Sequence, residues 1–176
     1  MTLRPHSVIG DNVLEALVDT AKKTPPGCFV EVGVYRGGSA FRLMKAAVDQ
    51  GRQLFAYDTF EGMPFSDIGD VHPVGDFNDT SYDGVKILLK DAVVVKGVFP
   101  ESAVEMPPVA FAHIDCDQYK SIKESILYLR PLMVKGGVMW FDDYGYVPGA
   151  TIAINELFPY MLEKSTQVGK AFLRIN

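Results

Sequence analysis

The run AFAHIDCDQY carries Asp115 and Asp117, and the run VMWFDDY carries Asp142 and Asp143. Each run opens on apolar residues of strand character and closes on acids, so both pairs belong at the ends of strands. Strands that end side by side bring four carboxylates together. Like charges so close must be protonated, separated by solvent or neutralised by a cation. Oxygen-only ligands favour Mg²⁺, with Ca²⁺ and Mn²⁺ as alternatives. Asp115, Asp142 and Asp143 are the candidate metal ligands. Asp117 is expected to point elsewhere, towards a cofactor or a helix N-terminus. The plain alternative is that individual aspartates cap the helices that follow them.

A second constellation lies on FVEVGVYRGGSA, residues 29 to 40. Gly33, Gly37 and Gly38 have no Cβ, so a ligand can approach the main chain of this turn, and a helix opening there presents free N–H groups. Neither GxGxxG nor a GK[ST] ending is present, and Arg36 is the only base on the turn. Glu31, an acid beside the turn, disfavours pyrophosphate and favours a ligand with an ammonium group, such as the methionine end of S-adenosylmethionine. Asp58, at the tip of the next strand LFAYD, is in place to accept hydrogen bonds from both ribose hydroxyls. The bland reading of the glycines is a tight strand-to-helix turn.

The elements needed to position these groups can be read along the chain. Short runs rich in β-branched and aromatic residues alternate with segments of helical period, the pattern of a mainly parallel sheet wrapped by helices. The expected fold is a Rossmann-like α/β domain with about seven strands. A first helix is expected over Asn12 to Lys23, with strands at Cys28–Val32, Leu54–Asp58, Ala92–Lys96, Val109–Ile114 and Gly137–Phe141. Ser39 should open a second helix, and Ser121 with Glu124 a capping box for a helix to Leu129. A further helix is expected over Gly149 to Lys164, interrupted near Pro159, and a closing strand from Lys170 to Ile175. Residues Thr59 to Thr80 are rich in Gly, Pro, Asp and Phe without sustained period, which predicts a mobile lid.

The 176 residues fit one globular domain with a sizeable core. A net charge of −5 without a polybasic run argues against nucleic acid as a partner. No stretch is apolar enough for a membrane span, and the N-terminus lacks the apolar core of a signal peptide, so the expected location is cytoplasmic. Cys28 and Cys116 sit far apart in apolar runs and read as buried reduced thiols. Scattered His6, His72 and His113 give a zinc cluster little support. His113, in the centre of a core strand, is either a satisfied structural residue or a pocket acid or base. Tyr119 and Tyr144 follow the acids and are candidates to line a substrate pocket.

With these residues in order, the chain resembles the class I S-adenosylmethionine-dependent methyltransferases, and within them the macrocin and mycinamicin sugar O-methyltransferase family. FVEVGVYRGGSA, YDTFEGMP, GDF, KGVFPES, HIDCDQYKSIKESI, LRPLMVKGGVMWFDDYG and PGATIAINELF follow that family's landmarks in sequence. The resemblance implies that Glu31, Gly33, Gly37, Ser39 and Asp58 contact the cofactor, with Gly97 near its adenine end. Tyr35, Thr59 and Asp117 join that candidate set. It implies a divalent ion on Asp115, Asp142 and Asp143 that binds a substrate hydroxyl, lowers its pKa and orients it for in-line attack on the sulfonium methyl. The acceptor would be a hydroxylated small molecule, a sugar or other vicinal diol.

A related metal-dependent branch places a lysine three residues after the first metal aspartate; here Gln118 stands there. The proton acceptor therefore stays open among Asp115, His113, His72, Asp76 and exchange with water. The chain also departs from the family in a short N-terminus, where relatives carry helices that help form the pocket and the oligomer. Thr151 and Ile152 are less polar than expected. A homodimer completing the pocket is one arrangement. A catalytically silent cofactor-binding partner subunit is the rival from another class. A nicotinamide oxidoreductase and a metal-dependent sugar or phosphate transferase are weaker rivals, lacking GxGxxG and a basic phosphate cradle respectively.

Overall fold

The computed structural model of the chain describes residues 5, 7–159, 162–164 and 170–176. His6 lies outside them. Five strands, β1 (Cys28–Val32), β2 (Leu54–Asp58), β3 (Val93–Lys96), β4 (Val109–Ile114) and β5 (Met133–Phe141), run parallel. Two more, β6 (Glu163–Lys164) and β7 (Ala171–Arg174), complete a seven-stranded sheet in the order β3-β2-β1-β4-β5-β7-β6. Strand β7 is antiparallel to both its neighbours. The helices are α1 (Asp11–Lys22), α2 (Gly38–Asp49), α3 (Tyr82–Leu88), α4 (Tyr119–Leu129) and α5 (Pro148–Leu157).

Every residue of β1 and β4 is buried, as expected of central strands covered on both faces. Alternation along the strands divides the core. Val30, Val32, Ala112 and Ile114 pack with Ile122 and Ile126 of α4 and Ala153 and Ile154 of α5. On the opposite face Phe29, Phe111 and Trp140 pack with Leu14 and Leu17 of α1 and Leu43 of α2. Each such large side chain contributes about 1.5–3 kcal/mol through burial. The strand order reverses between β1 and β4, and a crevice therefore opens above their carboxyl ends.

Two local expectations are corrected, and one further helix is found. Helix α4 starts at Tyr119, so Ser121 lies inside it and forms no capping box; the Tyr119 N–H donates instead to Asp70 Oδ1 of the loop between β2 and α3, 2.7 Å away. Helix α5 stops at Leu157 because a residue ahead of proline is pushed out of the helical region, and Phe158 sits at φ −137°, ψ 60°. It does not resume: Glu163 and Lys164 are a strand. Helix α3 had no clear periodic signal. Ser81 caps it by accepting from the Gly84 N–H at 3.2 Å.

Candidate active site

The end of β1 is held between its two neighbours. The Gly33 N–H donates to the Tyr57 carbonyl and the Asp115 N–H to the Val32 carbonyl, both at 2.9 Å. Gly33 has φ +91°, and a Cβ there would stand 1.8 Å from the Asp115 carbonyl oxygen, so only glycine lets β1 and β4 close at this point. Gly37, at φ +84°, is the N-cap of α2. The Asp58 carboxylate braces the turn: Oδ2 accepts from the N–H groups of Val34 (2.7 Å) and Tyr35 (2.8 Å), and Oδ1 from that of Phe60 (2.7 Å). A carboxylate has about four acceptor positions and three are taken here, so Oδ1 keeps capacity for one ribose hydroxyl.

The acids stand across the crevice. Among the described residues, Asp115, Asp117 and Asp143 can each present an oxygen within 4.8 Å of the others. Asp117 and Asp143 both take φ +53°, a left-handed conformation that costs a non-glycine residue roughly 1–2 kcal/mol and that aspartate tolerates better than most. Burial, reinforced by the charge of Asp142, pushes the Asp115 carboxyl well up. Burial and the hydrogen-bonding Asp143 push Asp117 up to about 7.

Asp142, expected among the metal ligands, lines the same cavity but is not part of this trio. Its Oδ2 pairs with the Lys170 Nζ, and its Oδ1 lies 3.9 Å from His113 Nε2. Burial works to raise the Asp142 carboxyl, but these two cations outweigh it and hold it below the ordinary carboxylate range. Asp117, expected to point elsewhere, takes its place in the trio.

His113 and Glu31 are also corrected. Both are fully buried, with His113 Nδ1 2.8 Å from Glu31 Oε1. Burial disfavours the imidazolium, yet the carboxylates of Asp142, Glu31 and Asp115 prevail and push His113 up to about 10. Its ring is fully buried, so an acceptor hydroxyl in the crevice does not reach it. Glu31 lies beside its register partner His113, and its second oxygen, Oε2, is buried without a hydrogen-bond partner. Tyr119 and Tyr144 are tied to α5 through Glu156 (2.9 Å) and Asn155 (2.8 Å), so neither lines the pocket.

The segment between β2 and α3 folds over the crevice and is tied at several points. Gln118 is 1% exposed, and its side-chain amide donates to the Phe65 carbonyl while accepting from the Phe65 N–H at 3.0 Å. The residue at the position of the lysine in the related branch is thus a clamp on the loop. The Gly149 N–H donates to the Gly69 carbonyl at 2.8 Å, and Tyr35 Oη donates to Asp79 Oδ1 at 2.6 Å. His72 contacts Asp76 at 2.8 Å and lies against Phe77, with ring centroids 4.8 Å apart.

One cavity of about 490 Å³ joins the two constellations. Gly33, Tyr35, Ser39, Asp58, Thr59 and Gly97 line one side, and Asp115, Asp117, Asp142 and Asp143 the other. Glu31, Gly37 and His113 do not reach it. Lys170 and Phe77 do, and neither was legible as a site residue. For Lys170 the signal would have been the antiparallel pairing of Phe141 with Ala171, which places residue 170 beside Asp142.

This strand order, with a reversed β7 and a glycine turn facing acids across the switch point, is a Rossmann-like methyltransferase architecture. The chain belongs to the macrocin-O-methyltransferase (TylF) family, whose model matches residues 4–161. It is 29% identical over 165 residues to 8-demethyl-8-(2,3-dimethoxy-alpha-L-rhamnosyl)-tetracenomycin-C 4'-O-methyltransferase of Streptomyces olivaceus, covering 79% of this chain and 62% of that protein. It is 26% identical over 180 residues to demethyldecarbamoylnovobiocin O-methyltransferase of Streptomyces niveus, covering 86% and 67%. The chain thus spans about two thirds of the length of these relatives. Among solved structures, the O-methyltransferase NovP superposes with a TM-score of 0.83 at 22% identity, over 97% of this chain and 82% of NovP. The calicheamicin methyltransferase CalS11 gives 0.78 at 24%, over 93% and 77%. Both share the fold.

Proposed function

We propose that this chain binds S-adenosylmethionine and transfers its methyl group to a hydroxyl of a sugar or other vicinal-diol small molecule. The observation that carries the reading is the single cavity lined on one side by the glycine turn and Asp58 and on the other by the carboxylates. Backbone at Gly33 and Tyr35 would receive the methionine end and Asp58 the ribose, while Gly97 lies where the adenine would approach. The acceptor would enter between the acids and the loop of residues 59–80. Both named relatives are O-methyltransferases, and the name of the first carries a rhamnosyl group, which supports a deoxysugar as acceptor.

The donor set fits a hard divalent cation. Asp115, Asp117 and Asp143 offer oxygens at mutual distances an ion can bridge, and the crowding that raises the first two is the strain a cation relieves. These three residues would hold Mg²⁺. Bound there, it would act as a Lewis acid that acidifies an acceptor hydroxyl. The chain's own residues would hold the methyl donor and acceptor in one crevice, which supplies proximity and orientation. Asp115 and Asp117 line the cavity where the hydroxyl proton would be lost, whereas His113 is buried beneath it.

The test is calorimetric titration with S-adenosylmethionine, followed by transfer of labelled methyl to rhamnosyl acceptors with and without chelator. Micromolar binding and chelator-sensitive transfer are expected. No binding at high micromolar cofactor overturns the cofactor reading. Transfer indifferent to chelator overturns the metal, and affinity without turnover on any acceptor favours a silent partner subunit.

A further inference from the structure

Lys170 enters the acidic wall immediately ahead of β7. Its Nζ pairs with Asp142 Oδ2 and lies 3.8 Å from Asp143 Oδ1, with 11% of the side chain exposed. Asp142 is 5% exposed, and its second oxygen, Oδ1, is buried without a hydrogen-bond partner. His113 Nε2, 3.9 Å from that oxygen, is likewise buried and unpartnered. Asp142 is therefore half satisfied: one oxygen takes an ammonium, and the other has capacity for a ligand. Asp143 is shared, since it belongs both to the trio with Asp115 and Asp117 and to the surroundings of Lys170.

A lysine ammonium is a compact point charge on a flexible stem. It and a divalent ion would repel each other strongly at the few ångströms that separate these carboxylates. They must compete. Lys170 precedes the first paired residue of β7, Ala171, so its side chain can swing out without breaking the ladder.

We propose that Lys170 is the cluster's own counter-ion, and that a divalent ion completes its ligand set by displacing Lys170 from Asp142 and Asp143 and recruiting Asp142. The inference rests on the reading that this cluster holds a divalent ion. It makes Lys170 a positioning residue that sets cation affinity, and it reconciles the acid trio with Asp142 as a fourth ligand.

Mn²⁺ titration of the whole, chelator-stripped chain, followed by electron paramagnetic resonance of the free ion, tests it without reference to turnover. Lys170→Gln is expected to bind Mn²⁺ about tenfold tighter than the unaltered chain, the loss of one partly buried competing charge. The gain should vanish in Lys170→Gln/Asp142→Asn, because it works through Asp142. Lys170→Arg, whose fork can engage both carboxylates, should bind Mn²⁺ more weakly, and this variant decides the matter if the glutamine variant does not fold by circular dichroism. Equal affinities overturn the proposal. So does a gain that survives Asp142→Asn, which would be simple removal of charge, or tighter binding by the arginine variant. Failure of every form to bind Mn²⁺ overturns the ion-site reading as well, and so separates the two.

Discussion

Gly33 and Asp115 meet backbone to backbone: a methyl group on Gly33 would stand 1.8 Å from the Asp115 carbonyl oxygen. This contact brings the cofactor side of the crevice against the acid side. Gly33→Ala must both adopt φ +91° and push β4 away, so it is expected to cost about 3 kcal/mol or more of stability. Thermal denaturation measures the loss. A melting temperature within a degree of the unaltered chain would contradict the closeness of the two strands.

Asp58 is expected to matter before any ribose arrives, because its carboxylate accepts three backbone N–H groups of the turn and the strand tip. Asp58→Asn replaces one acceptor oxygen with a donor that faces those N–H groups. A loss of about 1–3 kcal/mol in denaturant unfolding is expected, together with at least about tenfold weaker binding of S-adenosylhomocysteine. Unchanged stability with weakened binding would assign Asp58 to the ligand alone.

Gln118→Ala removes both hydrogen bonds to Phe65 and leaves that backbone unpaired. Hydrogen exchange at the Phe65 amide should accelerate, and stability should fall by roughly 1–2 kcal/mol. Protection unchanged at Phe65 would show that the other ties, at Gly69 and Asp79, hold the loop unaided.

Burial pushes the Cys28 thiol up to about 11, and its Sγ donates to the Pro107 carbonyl at 3.2 Å. The folded pKa is raised above that of the unfolded thiol, ordinarily near 8.5. Between these values the folded state binds more protons than the unfolded one, so stability present below about pH 8.5 is lost as pH rises towards 11. Denaturant titrations at a series of pH values should show this decline, and Cys28→Ala should show a shallower one. Alkylation at pH 8 should be slow in the folded chain and fast after unfolding; rapid labelling of the folded protein would contradict the burial of the thiol.

Local composition made much of the scaffold readable. Strands β1, β2 and β4 coincide with the runs CFVEV, LFAYD and VAFAHI, because β-branched and aromatic residues between turn signals leave few alternatives. Helix ends were less legible. The start of α4 depends on Asp70, a residue of a distant loop, and helix α3 contains Gly84, which weakens its local signal.

The site divides in the same way. That acids crown two adjacent strands, and that a glycine turn faces them, follows from residue types at strand ends, and the sequence determined this by itself. Which acids converge was decided by tertiary structure. Glu31 pairs with His113 because of their register, and Asp142 pairs with Lys170 because antiparallel β7 brings that residue to it. Period and composition act within a few residues along the chain. Register and strand direction relate residues far apart, and they are set only when the sheet closes over its two cores.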